Sequence, residues 1–209
     1  MEYEQRRERL VERLRDRGAI ERESTAEAIR AVPRHEFVPE GRRDDAYADR
    51  PLPIGEGQTV SAPHMVAVMV ERLDLEAGEE VLEIGTGCGY HAAVTAEVVG
   101  DGNVYSVEYV PELAEQARET LDRLGYDIGV RTGDGHEGWA EHAPYDAAYL
   151  TCAAEEIPDP IIEQTREGGR ILAPVGNVMQ ELVLLTVQES GGTDRETFAG
   201  VRFVPMQGG

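Results

Sequence analysis

Three acidic side chains and one glycine-rich turn stand where this chain could do chemistry on a nucleotide-like ligand. Val81-Leu82-Glu83-Ile84 is a short apolar run with an embedded acid, and it leads into Gly85-Thr86-Gly87-Cys88-Gly89, with glycine at alternate positions. Alternate glycines let the backbone bend sharply and approach a ligand without Cβ collisions, so the stretch reads as a buried strand turning into a helix at a cofactor site. Glu108 closes the next β-like run, 19 residues after Gly89, where a carboxylate can accept hydrogen bonds from both hydroxyls of a ribose. Asp134 lies between Gly133 and Gly135 after a third run, its small neighbours leaving the carboxylate free for an adenine amino group. Each acid has a plainer reading: Glu83 as a capped strand acid, Glu108 as a surface residue, Asp134 as a turn former. Three acids at three strand ends together favour a site.

The loop spacing bears on which cofactor. A dinucleotide fingerprint runs Gly-x-Gly-x-x-Gly, whereas this loop runs Gly-x-Gly-x-Gly with Glu83 just ahead of it. A pyrophosphate asks for bare amides at a helix N-terminus; a zwitterionic amino acid carrying a sulfonium asks for a nearby carboxylate as well. S-adenosyl-L-methionine therefore fits better than NAD, and an NAD-dependent oxidoreductase ranks behind a methyltransferase or a non-catalytic binder of the same cofactor.

The elements that must position these residues alternate along the chain. Residues 3–17 read as a polar helix with Leu10, Val11 and Leu14 on one side and Gly18 at its end, and Ser24 with Glu27 reads as the capping box of a second helix. From Pro33 to Pro63 five prolines predict a long ordered loop without regular structure. Helices are then expected at Pro63–Leu73, Tyr90–Val99, Pro111–Leu124 and from about Pro158, and strands at Glu80–Ile84, Asn103–Glu108, Ile128–Thr132, Asp146–Thr151 and Arg170–Pro174. Such βαβα order implies a parallel sheet covered on both faces, with ligands at the carboxyl ends of its strands. Glu181–Gln188 and Thr197–Val204, separated by Gly191-Gly192, read as an antiparallel pair closing the sheet.

Composition narrows the class. With 209 residues and 41% hydrophobic content, one packed unit is expected, with residues 1–50 a helical extension and 51–209 the cofactor-binding domain. No apolar run approaches a membrane span and no secretory leader is visible, so a cytoplasmic protein is expected. Cys88 and Cys152 lack metal-ligand spacing and are read as reduced thiols, with no metal site. The net charge is -21 and all 20 basic residues are arginine. A field this negative excludes nonspecific nucleic-acid binding, and together with the missing lysine it suggests a protein that works in concentrated salt. The acidity is uneven: residues 1–50 carry 12 Arg against 13 Asp plus Glu, whereas 51–209 carry 8 against 28.

Further motifs specify the reaction. Gly57-Gln58-Thr59-Val60-Ser61-Ala62-Pro63-His64-Met65, in the proline-rich loop, is joined by Pro33-Arg34-His35-Glu36-Phe37-Val38-Pro39, Gly133-Asp134-Gly135 with Gly138-Trp139, Ala143-Pro144-Tyr145-Asp146-Ala147, Glu167-Gly168-Gly169-Arg170 before Pro174-Val175-Gly176, and Val201-Arg202-Phe203-Val204-Pro205. In this order they resemble the protein-L-isoaspartate O-methyltransferase family, from about Val32 onward. The resemblance implies a doubly wound, Rossmann-like class I methyltransferase sheet, mostly parallel with an antiparallel C-terminal strand pair, preceded by N-terminal helices. It implies methyl transfer from S-adenosyl-L-methionine to the α-carboxylate of L-isoaspartyl residues in damaged proteins, and at some D-aspartyl residues, the ester then collapsing to a succinimide on the way to repair. By the same resemblance Ser61 is the active-site residue and Ala62, His64 and Val204 line the substrate side. Thr59, Val60, Glu83, Gly85, Thr86, Gly87, Cys88, Gly89, Glu108, Tyr109, Asp134 and Gly135 line the cofactor. Cys88 departs from the family's usual serine, and the chain shows no longer arm after Pro205 of the kind some relatives carry.

A carboxylate attacking a sulfonium methyl is already ionised at neutral pH, so no general base is needed and rate comes from alignment. Ser61 can orient the attacking carboxylate; as an N-cap for the helix opening at Pro63 it is equally plausible on chemistry alone. A monomer acting on damaged proteins or peptides, away from membranes, is expected.

Overall fold

The computed structural model describes residues 2–189 and 192–209. Two helices open the chain, α1 (Glu2–Asp16) and α2 (Glu23–Ala31), followed by short 3-10 turns at Arg34–Glu36 and Glu40–Asp45. A hairpin of β1 (Leu52–Gly55) and β2 (Gln58–Val60) leads into α3 (Pro63–Leu73). The alternating part comprises β3 (Val81–Ile84), α4 (Tyr90–Val99), β4 (Val104–Glu108), α5 (Pro111–Leu124), β5 (Gly129–Thr132), β6 (Tyr145–Leu150), α6 (Asp159–Glu163) and β7 (Thr165–Val175). It closes with β8 (Gln180–Val187) and β9 (Thr193–Val201). Among the described residues seven strands form one sheet in the order β5-β4-β3-β6-β7-β8-β9, parallel from β5 to β7 and antiparallel at β7-β8 and β8-β9. Strand order reverses between β3 and β6, which leaves a crevice beyond their carboxyl ends.

Local signals explain several boundaries. Proline begins α3 and α5, where its missing N–H costs nothing, and glycines in left-handed or open conformations stop α4 at Gly100 and α5 at Gly125. Alternation along β3 sends Leu82 and Ile84 into an apolar cluster with Ile157 and Ile161, and Val81 into another with Met69 and Leu73 of α3 and Ala92 and Ala96 of α4. The N-terminal helices place Leu10, Leu14 and Ile29 in a cluster with Tyr90, Val94, Leu113 and Leu121.

Three expectations need correction. Ser24 lies inside α2, whose N-cap is Arg22 with no side-chain cap bond. A distant carboxylate takes over: Glu71 accepts the Glu21 and Arg22 backbone N–H groups at 3.2 and 3.0 Å. The Pro33–Pro63 segment also holds more regular structure than predicted, because Gly55 and Gly57 adopt positive φ of 103° and 71° and let the chain reverse into the β1-β2 hairpin. At the C-terminal hairpin Gly191 lies outside the described residues, and β9 spans Thr193–Val201 rather than Thr197–Val204.

Candidate active site

The glycine turn forms one wall of a cavity above the carboxyl ends of β3, β4 and β6. Gly85, Gly87 and Gly89 have φ of 96°, 54° and 86°, a region that side chains rarely adopt. A Cβ on Gly85 would collide with the Thr151 hydroxyl, and one on Gly135 with Ile84. The backbone is thus bare where β3 and the turn after β5 face the cavity. Thr59, Val60, Ser61, Gly85, Thr86, Gly87, Cys88, Glu108, Tyr109 and Gly135 all line this space.

Glu108 sits at the end of β4 with little exposure, its two carboxylate oxygens accepting from Gly87 N–H at 2.8 Å and Val110 N–H at 2.9 Å. Each oxygen keeps a further lone pair, so the group can tie down the turn and still accept a hydroxyl from a ligand. Burial pushes the Cys88 thiol up to about 11 and the Cys152 thiol up to about 12, so both are neutral SH groups on the cavity wall at pH 7.

Three of the predicted cofactor residues do not reach the cavity as expected. Glu83 is fully buried on the α3/α4 side of the sheet, accepting from Ser106 Oγ and, at 2.9 Å, from the Tyr149 hydroxyl. Ser106 Oγ in turn meets Thr86 Oγ1 at 2.6 Å, and Tyr149 meets Thr95 Oγ1 at 2.9 Å. Burial, aided by the charge of Glu108, raises the Glu83 carboxyl to about 8 against the hydrogen bonds it accepts. Glu83 therefore supports the turn from beneath through Ser106 and Thr86 and does not line the cavity. Gly89 is the N-cap of α4 and packs toward Leu121, where an added Cβ would come within 3.2 Å. Asp134 is not a free carboxylate. One oxygen accepts from the His136 N–H at 2.9 Å and faces its ring nitrogen at 2.7 Å, and the other accepts from Gly209 N–H at 2.9 Å. Partial burial pushes its pKa up, but the Gly209 and His136 bonds outweigh it and hold the acid below its usual range.

A second cavity opens beside the first. Ala62, His64 and Val204 line it, together with Thr59, Ser61 and Thr151, and the residues common to both are Thr59, Ser61, Thr151 and Val204. Among the described residues Ser61 makes no hydrogen bond, and the N-cap of α3 is Ala62. The capping role falls to Asp49, whose carboxylate accepts the His64 backbone N–H at 3.0 Å and pairs with His64 Nδ1 at 2.8 Å and with Arg17 at 3.2 Å. The Ser61 hydroxyl is left facing the seam between the cavities.

Sequence reasoning missed Ile54, His91, Thr151, Cys152, Met206 and Gln207 on the first wall. Thr151 and Cys152 follow β6 directly, so the rule that ligands sit beyond strand carboxyl ends would have found them. His91 is nearly buried, with neither ring nitrogen hydrogen-bonded and its ring 4.5 Å from that of Tyr149; burial drops it to about 3, so it stays neutral.

The sequence matches agree with this geometry. The family model described as Protein-L-isoaspartate(D-aspartate) O-methyltransferase (PCMT) matches residues 5–209. The chain belongs to that family. It is 56% identical to Protein-L-isoaspartate O-methyltransferase 2 of Archaeoglobus fulgidus, over 100% of this chain and 95% of the relative. It is 51% identical to the Methanopyrus kandleri protein-L-isoaspartate O-methyltransferase, over 99% and 93%. A solved protein-L-isoaspartate O-methyltransferase superposes with a TM-score of 0.88 at 32% identity, covering 97% of this chain and 66% of that one. A solved Plasmodium falciparum structure in complex with S-adenosyl-L-homocysteine shares the fold with a TM-score of 0.85 at 24% identity, over 96% of this chain and 98% of that one. The protein-L-isoaspartate O-methyltransferase likeness thus begins near the N-terminus, not at Val32: α1 and α2 belong to it.

Proposed function

We propose that the two joined cavities work as one methyl-transfer site, with the cofactor in the first and the acceptor peptide in the second. The reaction follows from family membership: the enzyme uses S-adenosyl-L-methionine to methylate L-isoaspartyl residues of damaged proteins, as a step of repair. The first cavity fits such a cofactor, since its glycine-bared floor, the remaining lone pairs of Glu108 and the unpartnered His91 offer space and hydrogen bonds to a nucleoside bearing an amino acid. When bound, the cofactor supplies an electrophilic methyl group. The residues of this chain do the rest by placement.

In this reading Gly85, Thr86, Gly87, Cys88, Tyr109, Gly135, Thr59 and Val60 surround the cofactor, with Cys88 contributing backbone and volume because its thiol is neutral. Glu108 holds the ribose hydroxyls. Ser61 donates to the acceptor carboxylate and turns one of its oxygens toward the first cavity, while Ala62, His64 and Val204 flank the peptide. Exclusion of bulk water and alignment supply the rate, and no residue is asked to remove a proton, since the acceptor is ionised above pH 5 or so. The observation that carries the reading is the uncommitted Ser61 hydroxyl at the seam.

Methylation extends to D-aspartyl residues, and the ester closes to a succinimide. Residues 1–50 act as a helical extension packed onto the 51–209 unit. The enzyme acts as a monomer, and not on nucleic acid. It works in a salt-rich cytoplasm, a reading supported by the charge of -21; no helix among the described residues is long and apolar enough to cross a membrane. The direct test incubates an isoaspartyl peptide and its aspartyl twin with methyl-labelled cofactor in molar KCl and counts base-labile methanol. Label on the isoaspartyl peptide alone is expected; equal label on both defeats the assignment.

A further inference from the structure

The second cavity is unusual in charge for this protein. The chain carries 41 acidic residues, yet among the described residues no Asp or Glu lines that cavity, and its two ionisable walls are His64 and Arg202. His64 is already compensated by the Asp49 carboxylate 2.8 Å away. Arg202 is exposed and, among the described residues, makes neither a hydrogen bond nor an ion pair. That freedom is rare in the acidic part of the chain. Of the eight arginines after residue 50, Arg118, Arg123, Arg131, Arg166 and Arg170 bond to carboxylates or carbonyls and Arg72 lies over Phe198; Arg195 stands on the outer edge strand, away from both cavities.

Its backbone, by contrast, is held on both sides. The Phe203 N–H donates to Gln180 Oε1 at 2.6 Å, Gln180 Nε2 donates to Phe203 O at 3.1 Å, and the Ala153 N–H donates to Val204 O at 2.8 Å. The strand end is fixed beside Val204, which lines both cavities, while the guanidinium is left unspent. A cation kept unpaired in a protein of this charge, on an acid-free wall that also carries Ser61, is suited to an anion arriving from solvent.

We propose that Arg202 is a substrate-binding residue whose guanidinium pairs with the free carboxylate of the acceptor peptide and so favours the ionised acceptor over the esterified product. This rests on the second cavity being the acceptor site. Methylation removes the negative charge that Arg202 holds, so the contact is strongest before reaction and weakens in the product, which assists release. A contact that favours the ground state lowers KM and does not raise kcat. Arg202 thus acts on binding, and Ser61 on alignment.

The test compares wild type with Arg202→Gln and Arg202→Lys in the full chain, using an isoaspartyl peptide with no other acidic group. Arg202→Gln is expected to raise the peptide KM about tenfold at low salt, the scale of one charge-assisted hydrogen bond, with kcat unchanged or slightly raised. The gap between variant and wild type should shrink in molar KCl, and Arg202→Lys should restore most of the affinity. Affinity for S-adenosyl-L-homocysteine and the melting temperature, both read in molar KCl where charge repulsion is screened, should match wild type in both variants, since among the described residues Arg202 bonds to no other residue. A peptide KM within twofold of wild type in Arg202→Gln, or a loss confined to kcat, overturns the inference and leaves the reaction assignment intact. Wild type that labels no isoaspartyl peptide overturns both.

Discussion

Replacing Glu83 with glutamine should change how stability depends on pH more than it changes stability itself. Glu83 is fully buried, and its carboxyl is raised from 4.5 to about 8. In the unfolded chain the acid ionises near 4.5, whereas in the native protein it stays protonated to about 8, so across that window the native state binds more protons and stability falls as pH rises. The slope is about 1.4 kcal/mol per pH unit, and the full window is worth about 5 kcal/mol. His91 works in the opposite sense. Its folded value of about 3, against 6.5, costs stability as pH falls below 6.5, which masks the Glu83 slope in wild type between about 4.5 and 6.5. The difference between Glu83→Gln and wild type removes the His91 contribution. Glutamine resembles the protonated acid toward Ser106 and Tyr149, so the two proteins should melt alike near pH 5. By pH 7.5 the variant should gain about 3 kcal/mol, or about 5–10 °C for a chain of this size. Differential scanning calorimetry of both proteins at pH 5.5 and 7.5 in fixed KCl reads this directly. A melting difference that does not move with pH means that Glu83 is ionised throughout, and the account of the network beneath the glycine turn fails.

Two further outcomes are expected. Glu108→Ala should weaken S-adenosyl-L-homocysteine binding by about 1.5–3 kcal/mol for each charge-assisted bond lost, measured by titration calorimetry, and unchanged affinity would remove Glu108 from the ribose position. Lowering KCl from molar to millimolar should lower the melting temperature, because the 51–209 segment carries 8 Arg against 28 acids and repels itself when unscreened; a melting temperature independent of salt contradicts the salt-rich setting.

Much of the fold was legible where the signals are local. Pro63–Leu73, Tyr90–Val99 and Pro111–Leu124 coincide with α3, α4 and α5 because prolines and terminal glycines mark their ends. The capping box at Ser24 failed since a carboxylate from α3, Glu71, caps α2 across 49 residues of sequence, which no local pattern reveals. Glu83 does not line the cavity, and period-two alternation already puts it on the same face as Val81, away from Leu82 and Ile84. The bonding of Asp134 was not legible for another reason: its partner Gly209 lies 75 positions away in sequence. Arg202 stood inside a quoted motif, but nothing in sequence could show that its neighbours would leave it unpaired.

The acidic residues that were read individually share a physical role. Glu71 caps α2, Asp49 caps α3, Glu108 clamps Gly87 and Val110, and Asp134 clamps Gly209, each carboxylate accepting backbone N–H groups from another element. Ionised acceptors of this kind are stronger than neutral ones, so the loops around both cavities are held by charge more than by regular structure. Because Asp49 satisfies the start of α3, Ser61 is spared that duty. Among the described residues Arg202 is the one arginine that lines the acceptor cavity, while Arg118, Arg123, Arg166 and Arg170 are paired with carboxylates elsewhere in the fold. Since Asp49 also holds the His64 ring beside the acceptor cavity, a substitution at Asp49 reaches the chemistry by drawing Ser61 or His64 out of place.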